Sequence, residues 1–410
     1  MGNGASQAAR RRRAIVIGGS MSGLFAGLLL RQRGFDVDIY ERVETELAGR
    51  GAGIVAQPAV AATLRRLGID PVDLGVEART RRILDQQGGT VCEIDIPQTL
   101  TAWERVYRIL RDAFPSEHYH RGVALRCVEQ SAQSVVARFA DGRSAEAELL
   151  VGADGIRSTV RQQLLPQAVP LYAGYVAWRA LLPEQAIPPA THRALFEYLT
   201  FCLPPGEQFL GYPVAGPDND LRVGHRRYNV VWYRPADERT ELQRLLTDEN
   251  GVTHAISIPP PLIRRAAIAE MRAAGERLVA PQFLPILRLM DEPMLQPIYD
   301  LESPRMAFGR VAIIGDAAFV ARPHVAAGVS KAADDAVALA DVVAAEAVEP
   351  ALRRFEAERL PIGRRIIERA RHLGAYLQAT RTLEEQARSV RHSNAQAVIA
   401  ETAVLDFLEA

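Results

Sequence analysis

Three short stretches carry residue types able to hold and orient a phosphorylated ligand. The first is Gly18-Gly19-Ser20-Met21-Ser22-Gly23. A pyrophosphate-binding turn needs glycine first for a tight turn and a small second residue so that backbone N–H groups can approach. It needs glycine third so that the helix packs closely on the strand. Gly18, Ser20 and Gly23 meet these demands, and Gly27 follows one helical turn later. Glu41, with Arg42 beside it, closes the next strand-like run, where an acid can bind ribose hydroxyls. The second stretch is Asp154-Gly155-Ile156-Arg157-Ser158. Taken alone, Asp154 reads equally well as a ligand contact and as the cap of an ordinary helix. The third is Gly315-Asp316 at the end of "RVAIIGD", open to the same two readings. Behind it come Pro323, His324, Gly328, Val329 and Lys331, the only lysine in the chain.

Other chemistries lack their residues. The first loop has no Gly-x-Ser-x-Gly nucleophile elbow, and no P-loop lysine exists. Cys92, Cys127 and Cys202 are odd in number and far apart, which argues against a disulfide framework and for a reducing cytoplasm. "HYH" at His118–His120 is the one close histidine pair, and no metal-ligand spacing accompanies it. Lys+Arg and Asp+Glu both number 49, so net charge gives no support for nucleic acid or an anionic membrane as partner. "MGNGAS" fits a myristoylation pattern and "RRRAIVIGG" imitates a signal segment. Glycines break that apolar run too early for a signal core or a membrane span, so neither is expected.

The elements around these stretches follow from periodicity. With 410 residues and 48% apolar content, the chain has material for two or three packed units. "RAIVIGGSMSGLFAGLLLRQRGFDVDIYER" reads as strand, helix and strand. Helices are expected over Gln57–Leu67 and Trp103–Phe114, with strand-like stretches at Arg82–Gln86 and Val91–Asp95. Asp141-Gly142 joins two alternating runs as a hairpin. From Val169 the texture turns aromatic and β-branched, which predicts a strand-rich unit. A helical segment follows at Ile263–Met290, and helices continue beyond Val325 with breaks at Pro350 and Gly374. The fold class is therefore α/β: a Rossmann-like nucleotide-binding domain, an inserted strand-rich domain and C-terminal helices. Its expected boundaries are a disordered tail at 1–12, nucleotide-binding parts at 13–168 and 295–345, the insertion at 169–294 and helices at 346–410. The final helical stretch can either close a homodimer or cap the fold.

Together the glycine loop, "GADG" and "IIGDAA" resemble the single-component FAD-dependent aromatic hydroxylases of the para-hydroxybenzoate hydroxylase type. The resemblance spans nearly the whole chain. It is strengthened by Pro323, Gly328 and Asp334-Asp335-Ala336 at the family spacing, and by "YAGYVAWRALLPE" at Tyr172–Glu184. It implies that Gly18, Ser20, Gly23 and Glu41, with Arg42, hold the ADP half of FAD. Asp154 and Gly155 would lie near the pyrophosphate and the NAD(P)H path. Gly315 and Asp316 would serve the ribityl side, and Pro323 to Gly328 and Val329 the isoalloxazine ring. "GRGAGI" matches the family's mobile loop, which brings in Arg50 and Gly51. Two departures stand out. Ala326-Ala327-Gly328 replaces the usual Gly-Gln-Gly, and Trp103 stands where an arginine usually meets the FAD phosphates, leaving Arg105 or Arg108 as substitutes. "RPHVAAGVSKAADDA" looks closest to the 2,6-dihydroxypyridine 3-hydroxylase branch.

The implied activity is hydroxylation of a phenol-like or hydroxypyridine-like ring with NAD(P)H and O₂ through a flavin C4a-hydroperoxide. Alternatives are a related monooxygenase acting on a polyketide-like substrate, a FAD-dependent reductase, or a FAD-binding protein without turnover. His324 and Tyr212 are the catalytic candidates; the rival reading is a hydrogen-bonded loop histidine and a core tyrosine. Tyr175, Trp178, Phe196, Trp232 and Tyr233 divide between a substrate wall and plain core. Lys331 either adds positive charge near the cofactor or is a solvated helix residue. Arg226-Arg227 is a candidate for a 2′-phosphate. The helix starting near Gly328 would aim its N-terminal dipole at the flavin.

Overall fold

The structure, a computed structural model, describes residues 12–47 and 53–408. Arg50 and Gly51, and nearly all of the expected tail, lie outside the described residues. β1 (Arg13–Ile17), α1 (Met21–Gln32) and β2 (Asp36–Glu41) form the expected strand–helix–strand unit. After β3 (Gly53–Val55) and α2 (Pro58–Arg66), two long strands pair as a hairpin: β4 (Val76–Leu84) and β5 (Thr90–Ala102). α3 (Trp103–Ala113) and β6 (Tyr119–Arg121) lead to a three-stranded sheet of β7 (Leu125–Gln130), β8 (Val135–Phe139) and β9 (Ser144–Ala147). β10 (Leu149–Gly152) then delivers Asp154, and α4 (Thr159–Leu164) follows.

The strand-rich stretch runs β11 (Leu171–Pro183), α5 (Pro189–Leu195), β12 (Tyr198–Cys202), β13 (Gln208–Val214) and β14 (Arg227–Pro235). α6 (Glu241–Leu246), α7 (Arg265–Leu278) and α8 (Leu284–Arg288) cover one of its faces. The expected Ile263–Met290 segment is thus two helices, with Pro281 in the break and Pro285 in the first turn of α8. β15 (Met294–Glu302), β16 (Ala307–Phe308), β17 (Val311–Ile313) and β18 (Phe319–Val320) precede α9 (Gly328–Ala345) and α10 (Val348–Gly374). α11 (Leu383–His392) and α12 (Ala395–Glu401) complete the helices. α10 ends at Gly374 as expected. The break expected at Pro350 lies instead at Glu346-Ala347, because a proline in the first helical turn gives up an N–H that has no partner there anyway.

Two sheets organise the molecule. A six-stranded sheet has the order β16-β17-β10-β1-β2-β6, parallel from β17 to β6. The pairing of β10 with β17 shows that the nucleotide-binding unit is interrupted and resumed. A nine-stranded sheet has the order β18-β15-β11-β14-β13-β12-β4-β5-β3. β4 and β5, inside the expected first nucleotide-binding part, pair in this second sheet, as does β15 inside the expected second part. The contiguous boundaries at 13–168 and 295–345 therefore do not follow the sheets. One apolar core wraps the six-stranded sheet between α1, α9 and α3. Alternation along the nine-stranded sheet sends Trp178, Val230 and Trp232 into a helix-covered core, and Tyr175, Val231 and Tyr233 to the opposite face. No described helix is long and apolar enough to cross a membrane.

Candidate active site

The glycine loop is shaped by contacts that exclude side chains. Gly18 sits at φ 105, and a Cβ there would stand 2.3 Å from the Ala153 carbonyl oxygen. A Cβ on Gly23 would come within 1.8 Å of the Gly18 carbonyl oxygen, so α1 can begin this close to β1 only with glycine. Ser20 precedes α1 and leaves its first turn without a side-chain cap. Glu41 is buried at the end of β2 and organises the loop from below. Its Oε2 accepts from the Gly19 N–H at 2.8 Å, and its Oε1 from the Val43 N–H at 2.9 Å.

Asp154 fulfils the cap reading and keeps one oxygen unused. Its Oδ2 accepts from the Thr159 N–H at 2.7 Å, capping the start of α4, while its Oδ1 is buried without a partner. Burial raises its pKa. Gly315 sits at φ 58, and a Cβ there would meet Ser22 Oγ at 2.0 Å. Its N–H donates to Asp335 Oδ2 at 3.0 Å, and Asp335 Oδ1 accepts from Arg359 Nε at 2.8 Å. The neighbouring Asp316 side chain is 54% exposed, facing open space. Arg161, which has no exposed surface, braces the two turns. It donates to Ile156 O at 2.5 Å, Ala317 O at 3.0 Å and Ala168 O at 3.1 Å. Lys331 is not a solvated residue. It is 2% exposed, and its Nζ lies 4.0 Å from both Asp316 Oδ1 and Asp335 Oδ2 with no hydrogen-bond partner.

Two adjoining cavities run along these groups. One of about 370 Å³ is lined by Gly18, Glu41, Arg42, Asp154 and Ile156. The other, about 360 Å³, is lined by Met21, Arg179, Tyr212, Tyr233, His324 and Gly328. Ser20, Trp103, Ala153, Gly155 and Asp316 border both. This elongated space, with an acid for ribose at one end and helix amides at the other, suits FAD. α9 begins at Gly328 with no side-chain cap, so the first-turn amides of Gly328 and Val329 are available to an electron-rich edge. Pro323 lies on the same wall. Arg105 and Arg108, the expected substitutes for the missing arginine, are not among the residues lining these two cavities. They border a separate surface pocket with Arg227, and Arg108 pairs with Glu104. Trp103 itself borders both cavities, stacked on Tyr107 at 5.1 Å.

Opposite the cofactor groups stands the inner face of the nine-stranded sheet. Tyr212 and Tyr233 are buried there, and burial pushes both phenols up, Tyr233 to about 12. His324 Nε2 is 2.8 Å from Tyr175 Oη. Burial, with the Arg322 charge beside it, holds the His324 ring down at about 3, so it is neutral near pH 7. Of the other aromatic candidates, Trp178, Phe196 and Trp232 belong to the helix-covered core. Sequence reasoning missed Arg179. Its Nη1 donates to Gln296 Oε1 at 2.8 Å and its Nη2 to Gly53 O at 3.3 Å, while its Nε is buried without a partner. The signal was present: Arg179 shares strand parity with Tyr175 inside an otherwise apolar run. Arg226 is taken by Glu184, through Nη2 at 2.9 Å, and the Arg227 Nε donates to the Ala215 carbonyl; neither arginine is among the residues lining the two cavities.

A split parallel sheet whose strand ends offer glycine turns and carboxylates, facing a second sheet across an apolar cavity, defines a FAD-dependent oxidoreductase. Residues 172–300 match a family described as FAD binding domain-like, and residues 299–370 a FAD binding domain. The chain is 33% identical to 2,6-dihydroxypyridine 3-monooxygenase of Paenarthrobacter nicotinovorans, over 89% of this chain and 91% of the relative. It is 27% identical to 6-hydroxynicotinate 3-monooxygenase of Pseudomonas fluorescens, over 85% and 87%. The solved 2,6-dihydroxypyridine-3-hydroxylase of Arthrobacter nicotinovorans superposes with a TM-score of 0.85 at 33% identity, covering 90% of this chain and 93% of that one. The chain belongs to the single-component FAD-dependent aromatic hydroxylases.

Proposed function

We propose that this enzyme hydroxylates a small, hydroxylated N-heteroaromatic ring that it binds as an anion. The observation that carries the reading is Arg179: a guanidinium on the wall of a cavity lined mostly by apolar and aromatic groups, with its Nε buried and unpartnered. A hydroxypyridine is acidic, and its anion is electron-rich at ring carbon. Arg179 favours that anion, so it both binds the ring and keeps it in its more nucleophilic form. The neutral phenols of Tyr212 and Tyr233 are placed to fix its orientation by hydrogen bonds, and Leu199, Phe201, Leu210 and Val231 exclude water.

His324 is, with Tyr212, a catalytic candidate from the sequence, and its surroundings define what it can do. Its ring opposes protonation, so it acts by accepting or donating a hydrogen bond relayed to Tyr175 and does not store a proton. When bound, FAD supplies hydride acceptance from NAD(P)H and oxygen transfer, so that ring C–H, O₂, NAD(P)H and a proton give ring C–OH, NAD(P)⁺ and water. Both relatives named above act on pyridine rings, which supports the same class here. A cavity of about 360 Å³ that also borders the cofactor groups favours a single ring over a polyketide-like substrate. The free thiols Cys92, Cys127 and Cys202 suit a reducing cytoplasm.

Arg179→Met tests the reading. It should weaken binding of 2,6-dihydroxypyridine by tenfold or more, about 1.4 kcal/mol, with FAD content unchanged. Unaltered affinity for the ring would remove Arg179, and the anionic substrate with it.

A further inference from the structure

We propose that the segment Ala395–Leu408 is a locked wall of the substrate cavity, with Arg81 as its lock; this rests on the assignment of that cavity to the substrate. Thr402 and Ala403 line the cavity beside His324. They follow α12, whose Val398 and Ile399 are packed into the apolar cluster on the inner face of the nine-stranded sheet. Arg81 rises from β4 and is 1% exposed. Its Nη1 donates at 2.7 Å to Ile399 O and at 2.7 Å to Thr402 O, and its Nε at 3.1 Å to Gln98 Oε1.

Among the described residues no carboxylate pairs with Arg81. A buried guanidinium without a counter-ion is unfavourable unless dipoles face it. Here the carbonyls at the C-terminal end of α12 supply the negative end of the dipoles. The charge and the segment therefore stabilise each other: without the segment in place, Arg81 loses both carbonyls. Burial holds Arg81 down at about 10.

Ala403 is fastened from three further directions. Its N–H donates to His324 O at 2.7 Å, and its carbonyl accepts from Gln57 Nε2 at 3.0 Å and Gln98 Nε2 at 3.3 Å. Its φ of 57 is in the left-handed region, which alanine avoids by about 1 kcal/mol. These bonds hold the turn in a conformation the residue would not choose. The wall consequently places its backbone against the loop that carries Pro323 and His324. A shift of this turn would open the space where the ring meets the cofactor and admit water.

Two variants of the full chain, loaded with FAD, test this. Thr402→Trp should narrow the cavity, lowering 2,6-dihydroxypyridine affinity tenfold or more while FAD content stays at the wild-type level. Arg81→Met should speed amide exchange across 395–408 at least tenfold and divert at least half of the NAD(P)H consumed to hydrogen peroxide. If Arg81→Met does not fold, Thr402→Trp decides the proposal alone. Wild-type affinity and coupling in Thr402→Trp, or unchanged exchange in a folded Arg81→Met, would overturn it. If Arg179→Met weakens ring binding and Thr402→Trp does not, the wall is wrong and the cavity assignment stands. If neither weakens it, the cavity assignment itself falls.

Discussion

Lys331 shows how far one side chain's role depends on which way its helix is turned. At the start of α9 a rotation of a few tens of degrees separates solvent from the interior, and the residues flanking it, Ser330 and Ala332, are small and neutral. The structure turns it inward, between Asp316 and Asp335. Its charge favours the ionised form of Asp316, the carboxylate that borders both cavities. Lys331→Met should therefore weaken FAD binding about tenfold in a flavin fluorescence titration, more at pH 6 than at pH 8, because Asp316 then takes up a proton more readily. Equal affinity at both pH values would show that Asp316 does not depend on Lys331. His324 gives a second prediction. Its folded-state pKa of about 3 lies below its ordinary value, so only the unfolded chain takes up this proton as pH falls from neutrality. The stability this neutral ring contributes is complete above the unfolded pKa, and is lost as pH falls toward the folded one. The slope it adds reaches about 1.4 kcal/mol per pH unit, and His324→Gln should remove it in urea unfolding at pH 7 and pH 5. The same acid sensitivity in both proteins would contradict that. The glycines and acids of the site were legible because backbone geometry admits few alternatives. Gly18 and Gly23 are fixed by atoms 2.3 and 1.8 Å from a would-be Cβ. Arg179 and Arg81 were not, because their partners are distant in sequence.

At the scale of elements, the decisive feature is that separate strand ends must stay in register with one another. β1, β10 and β17 are adjacent in the six-stranded sheet, so the glycine loop, the Asp154 turn and the Asp316 turn emerge side by side. Arg161 then ties the second turn to the third through Ile156 O and Ala317 O. Arg161→Met leaves two buried carbonyls and one half-buried carbonyl without their donor, and should destabilise the protein by about 3 kcal/mol or more. FAD affinity should fall with it, while Arg138→Met, on an exposed pair with Glu129, should change neither. Loss of stability without loss of FAD affinity would make Arg161 a fold residue only. The βαβ unit and the hairpin at Asp141-Gly142 were readable because their signals are local. The place of β4 and β5 was not. β4 joins the second sheet by parallel pairing of Tyr198–Cys202 with Thr80–Leu84, a contact between segments more than a hundred positions apart. Periodicity reports that a strand exists and is silent about its neighbour.

For the whole molecule, the two sheets divide the work. One arranges backbone amides and carboxylates for the cofactor; the other turns a face bearing Arg179, Tyr212 and Tyr233 toward it. Neither alone lines the cavity proposed for the ring, since Gly53 and Arg179 come from the nine-stranded sheet and Asp316 and Gly328 from the strand ends and helix of the other unit. The inserted arrangement, seen in the sequence as a change of texture at Val169, has its physical reason here: a chain that leaves the first sheet and returns can enclose a ring between both. The most direct test is oxidation of NAD(P)H by the FAD-loaded enzyme under ¹⁸O₂, with 2,6-dihydroxypyridine and with hydroxynicotinate, hydroxybenzoates and larger phenols. The account predicts that a hydroxypyridine-type ring stimulates NAD(P)H oxidation and leaves with one ¹⁸O atom. Failure of every one of these rings to stimulate oxidation, or a product carrying no ¹⁸O, would contradict it.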